Sequence, residues 1–94
     1  MKKPPIHLRK AAKRLWNDLM SDYEIDDAAG LALLQTACEA FQRCDDARRM
    51  IRREAAVITD RFGQPKPHPA VTIERDSRAQ LIAALRALKL EPEA

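Results

Sequence analysis

The sequence predicts a mainly α protein, and three stretches predict it: a long helical run in the middle, an amphipathic run before it and a proline-initiated run after it. The middle run organises the others. From Asp27 to about Ile58 there is no proline, and the one glycine, Gly30, falls in the first turn, where it costs least. Along one side Leu31, Leu34, Ala37 or Cys38, Phe41, Cys44, Arg48, Ile51, Ala55 and Ile58 recur every three or four residues, the helical and not the strand period. Asp26 and Asp27 are placed to cap free N–H groups and to face the positive end of the helix dipole. At about 1.5 Å per residue such a helix is on the order of 45 Å long, more than so short a chain can enclose. Its seam calls for other helices, including those of other copies of the chain, with Leu31, Leu34, Phe41, Ile51 and Ile58 as the expected oligomer contacts.

Before it, residues 1–6 read as an extended basic leader containing Pro4 and Pro5, followed by a helix over 8–24. Leu8, Ala11 or Ala12, Leu15, Leu19 and Tyr23 form its apolar stripe, widened by Trp16 and Met20, with Arg9, Lys10, Lys13, Arg14 and Asn17 on the other side. Too short to be stable alone, this helix is expected to dock on the long one after the turn at Glu24-Ile25-Asp26, giving an N-terminal helical hairpin. Residues 59–69 are a Gly/Pro-rich turn segment in which no helix survives. Val57-Ile58-Thr59 reads either as a short strand or as the fraying helix end, and a short β-hairpin turning at Gly63 stays open. Pro69 suits the first position of a last helix over 70–89, with Ala70, Ile73, Ser77, Leu81, Ala84, Leu85 and Leu88 on one face. Glu91 to Ala94 read as a polar tail, so that residues 1–94 make one helical domain.

Composition narrows the function. Hydrophobic residues make up 46% of the chain, but Trp16, Tyr23, Phe41 and Phe62 are its only aromatics, so the core must be aliphatic and alanine-rich. Cys38 and Cys44 stand six residues apart on one helix, about 240° around it, and cannot pair with each other. Without a secretory signal they read as small reduced core residues of a cytosolic protein. No apolar run approaches the roughly 18 residues that cross a membrane, so no membrane partner is expected. The net charge of +3 is mild, but Lys2, Lys3, Arg9, Lys10, Lys13 and Arg14 load the start of the chain without an acid. An acidic block follows (Asp18, Asp22, Glu24, Asp26, Asp27), and then a second basic cluster, Arg48, Arg49, Arg52 and Arg53, with Arg61 and Lys66 beyond.

The residues of catalysis are not arranged for it. His7 and His68 sit in no HxxxH, HExxH or CxxC spacing, so neither a metal nor another cofactor is expected. With Gly30 and Gly63 alone there is no glycine-rich phosphate loop, and Asp26-Asp27 and Asp45-Asp46 read as caps and solvated faces. The protein is therefore not read as an enzyme. What remains is binding: Lys2, Lys3, Arg9, Lys10, Lys13, Arg14, Arg49, Arg52 and Arg53 are candidates for phosphate contacts, the sequence-independent part of nucleic-acid affinity. The competing reading of the second cluster is a solvated helix face paired with Asp45, Asp46 and Glu54. Trp16 reads as core and not as a base-stacking platform.

The order of motifs resembles a known family. Pro5-Ile6-His7-Leu8, then Ala12-Lys13-Arg14-Leu15-Trp16, then Tyr23 and Asp27 are similar to the opening of phage terminase small subunits. Gly63, Lys66-Pro67-His68-Pro69 and the closing Leu85-Arg86-Ala87-Leu88-Lys89-Leu90-Glu91-Pro92 resemble that family's glycine turn, Lys-x-x-Pro segment and Leu-x-Leu-x-Pro end. The resemblance implies a non-catalytic phage or prophage protein of the bacterial host cytoplasm that assembles as a ring, recognises double-stranded viral DNA and hands it to the large terminase subunit for packaging. The alternative, from the seam alone, is a helical protein–protein interaction adaptor that does not bind DNA.

Overall fold

The computed structural model describes residues 2–90 and places three helices and one antiparallel ribbon in the order α1 (Lys10–Asp22), α2 (Ala28–Glu54), β1 (Val57–Thr59), β2 (Pro65–Pro67) and α3 (Pro69–Ala87). The mainly α architecture, with one long central helix, is the one the sequence predicts, and the hairpin left open there is formed. Met1 and the polar tail 91–94 lie outside the described residues. The described chain measures 53 × 26 × 25 Å.

Helix boundaries differ from expectation for local reasons. α1 begins at Lys10 and not at Leu8, because a turn closed by Leu8 N–H on the Pro5 carbonyl (3.2 Å) precedes it and Arg9 is extended. It ends at Asp22, where Tyr23 turns extended. At the start of α2 the Asp27 carboxylate accepts the Gly30 N–H at 3.0 Å. A Cβ on Gly30 would stand 2.7 Å from Asp27 Oδ1 and 3.0 Å from Ile25 Cγ2, so glycine leaves room for the cap. α2 stops at Glu54 and not at Ile58, because Ala55 adopts φ 79° and ψ 151° and turns the chain into β1. Ile58 is thus a strand residue. α3 starts at Pro69, capped by His68, and ends at Ala87 with Lys89 left-handed (φ 58°) and Leu90 N–H returning to the Leu85 carbonyl at 3.3 Å.

In the ribbon Val57 faces Pro67, Ile58 faces Lys66 and Thr59 faces Pro65. His68 N–H donates to the Ala56 carbonyl (2.8 Å) and Asp60 N–H to the Gln64 carbonyl (2.9 Å), which puts the two prolines at the alternate positions where no N–H is needed.

Two separate packings bury α2. Around its N-terminal half Leu8, Ala12, Trp16, Ile25, Leu34 and Cys38 form one buried cluster, with Leu88 and Leu90 packed on it from beyond α3. The Trp16 indole donates to the Lys2 carbonyl at 3.1 Å, tying the leader down. α2 packs most extensively against α3, which runs back antiparallel beside it. There the buried residues are small: Ala37, Ala40, Cys44 and Ala47 on α2, and Ala70, Ser77 and Ala84 on α3. The seven-residue spacing of the α3 set is the repeat of a coiled-coil seam, and small side chains let the helices approach closely. Glu74 locks this pair from the side, accepting from Arg48 (3.2 Å) and from Arg78, while Cys44 Sγ donates to its backbone carbonyl at 3.8 Å.

Candidate nucleic-acid interface

Docking of α1 on α2 brings part of the two basic clusters together. A groove of about 400 Å³ between the helices is lined by Lys10, Ala11, Arg14, Leu15 and Asp18 of α1 and by Phe41 and Arg49 of α2. Its floor is apolar and its rim cationic. The adjoining groove adds Arg9, Gln42, Asp45 and Asp46. Helical spacing explains the α2 side, since Phe41, Asp45 and Arg49 stand four residues apart on one face.

The cations fall into two groups. Arg9 is tied across the helices, its guanidinium to Asp46 and its backbone N–H to Gln42 Oε1 at 2.6 Å. Arg49 pairs with Asp45 at 3.0 Å and Arg53 with Glu54 at 3.3 Å. These arginines are more than half exposed, and such pairs are worth about 0–1 kcal/mol, so a phosphate could displace the carboxylate. Lys10, Lys13, Arg14 and Arg52 make no ion pair among the described residues. Arg49, Arg52 and Arg53 follow at helical spacing towards the C-terminal end of α2, where the dipole favours cations. Arg48, in contrast, is engaged by Glu74. Lys2 and Lys3 line a different groove with Trp16, Ala28, Leu31 and Gln35 and do not join the cluster.

Of the residues expected to meet other copies, Leu34 is fully enclosed by its own protomer. Leu31, Phe41, Ile51 and Ile58 are each half-buried. Phe41, which shapes the groove, and Gln42, which lines the adjoining one, are not among the candidate DNA contacts; the four-residue spacing of Phe41, Asp45 and Arg49 is the signal that finds Phe41, and none marks Gln42.

Cys38 does not have the environment of a nucleophile. Burial, and after it the charge of Glu39, pushes the Cys38 thiol up to about 12. Among the described residues no three His, Cys, Asp or Glu side chains converge in a way that could hold a metal ion, and no helix is long and apolar enough to cross a membrane.

What this geometry defines is a helical module with a cationic groove. The chain belongs to the phage terminase small-subunit family: the model of that family, "Phage terminase, small subunit", matches residues 9–94. No curated protein and no solved structure matches the chain significantly.

Proposed function

We propose that the protein is a non-catalytic, oligomeric DNA-binding subunit that recognises viral DNA and delivers it to the large terminase subunit in the host cytoplasm. Family membership supports the packaging role. The observation that carries the DNA-binding part is the α1–α2 groove, where Lys10 and Arg14, without an ion pair among the described residues, stand beside Arg49 over an apolar floor. Weak phosphate contacts of this kind, repeated by each protomer of a ring, add through avidity. Of the seam that would serve a protein-only adaptor, Leu34 is enclosed within the protomer while Leu31, Phe41 and Ile51 are half-buried, and no observation favours that reading over the groove.

The test is a salt titration of affinity for a duplex of random sequence. Reversing Lys10, Lys13 and Arg14 to glutamate should lower affinity and reduce the magnitude of the log–log salt slope by roughly 2 to 3, about 0.9 for each phosphate no longer neutralised. An unchanged slope removes α1 from the interface. Light scattering on the same samples checks the oligomer, for which a monomer at every concentration is the contrary result.

A further inference from the structure

Beyond the C-terminal end of α2, the β1–β2 ribbon ends in an apex built to a different plan from the groove. Phe62 is 73% exposed, and the Arg61 guanidinium lies over its ring at 5.0 Å from the centroid. The apex is fixed from within. Asp60 Oδ1 accepts the N–H groups of Phe62 (2.8 Å) and Gln64 (2.9 Å), Gly63 N–H returns to the Asp60 carbonyl at 3.0 Å, and Gly63 supplies φ 78°. An exposed aromatic on a flexible loop is ordinary; here the turn holds it outward, with none of its own chain's core to cover it.

The charge around it selects the partner. Residues 57–67 carry Arg61 and Lys66 against Asp60 alone, whose Oδ1 is committed to the turn. At the ribbon's base Glu54 is held by His68 and Arg53, which leaves Arg52 unpaired among the described residues. The partner is therefore anionic, with a slot for one aromatic ring. Two features favour DNA, and its minor groove. The ribbon face formed by Val57, Thr59, Pro65 and Pro67 offers one hydroxyl and little else with which to read bases from the major groove. Proteins of the minor groove instead insert a rigid apolar wedge between base steps with arginine beside it, and bend the duplex.

We propose that the ribbon apex is a second DNA contact, with Phe62 as a wedge in the minor groove and Arg61 and Lys66 on the groove and backbone. This rests on the DNA-binding reading above and extends it to residues outside the α1–α2 groove. The experiment compares wild type, the groove triple variant, R61A/K66A and F62A on a 30-base-pair random duplex carrying end-labelled dyes. R61A/K66A should reduce the salt slope by about 2. F62A should leave the slope unchanged, weaken binding about tenfold and abolish the change in end-to-end energy transfer on binding. Phe62→Trp should retain both, which separates loss of the wedge from loss of folding. Wild-type affinity, slope and bending in F62A and R61A/K66A, alongside a weakened groove variant, would overturn the ribbon and leave the groove standing. A wild type that does not bind duplex would remove both. If the ribbon variants change native mass and not DNA binding, the apex meets another copy of the chain and the proposal is wrong.

Discussion

The two lateral halves of α2, one facing the cluster around Trp16 and the other facing α3, are buried by opposite means. Towards its N-terminus the helix sits under large side chains, Leu8, Trp16 and Leu34, gathered from three parts of the chain. Towards α3 it is covered by alanines, one cysteine and one serine. The first region depends on volume and the second on its absence. Opposite substitutions should therefore be damaging in each. Leu34→Ala, at a fully buried site, should cost about 3–5 kcal/mol through lost burial and a residual cavity. Ala40→Leu, equally buried, should cost about 1–3 kcal/mol through overpacking. Urea denaturation measures both. An Ala40→Leu protein as stable as wild type would mean that the α2–α3 seam yields, and the contrast between the halves would fall.

Where the close-packed half ends, the chain stores strain. Ala55 stands at φ 79° and ψ 151°, a conformation that favours glycine. It is held there because its N–H closes the helix on the Ile51 carbonyl at 2.8 Å while the next residue, Ala56, already accepts from His68. Relief of the strain exceeds the extra freedom glycine gains in the unfolded chain. Ala55→Gly should then stabilise the protein by about 1 kcal/mol, some 4–8 °C in melting temperature for a domain of this size. A lower melting temperature would show that the methyl group contributes packing that outweighs the strain.

This contrast also marks what the sequence made legible. The large-residue half was readable, since the period of Leu31, Leu34 and Cys38 and the stripe of Leu8, Trp16 and Leu19 are strong apolar signals. The alanine half is legible on α3 and only in part on α2. On α2 the seam through Ala37 and Cys44 was traced, but Ala40 and Ala47 were not, because alanine is too weakly apolar to mark a second buried face. The end of α2 was misplaced for a related reason: Ala55 is an excellent helix former, and only the pairing of Ala56 with His68 overrides it. At the candidate interface both basic clusters were visible. That Lys10 and Arg14 meet Arg49, while Arg48 turns to Glu74, depends on how α1 and α3 dock and has no local signature.

The smallest expected effect lies at the junction between α2's close-packed half and the ribbon. Buried His68 accepts the Ala70 N–H on Nδ1 at 2.9 Å, so its proton is on Nε2 and is donated to Glu54 Oε1 at 3.0 Å. That hydrogen bond, followed by the one from Arg53, holds the Glu54 carboxyl below its ordinary value of 4.5. A carboxylate with a lowered folded pKa contributes stability that is present above the unfolded value and is lost as pH falls through the folded one. Glu54→Gln keeps an oxygen to accept from Nε2 but carries no charge. Its melting temperature should lie slightly below wild type near neutral pH, and the two curves should converge as the pH falls below 4.5 and through the lowered folded value. Because Glu54 is exposed, solvent screening keeps the separation small. A constant offset at every pH would assign the effect to geometry and not to charge. Convergence would show that α2, the ribbon and α3 are joined in part by the hydrogen bond from His68 to a charged Glu54 carboxylate, whereas the alanine seam beside it should be indifferent to pH.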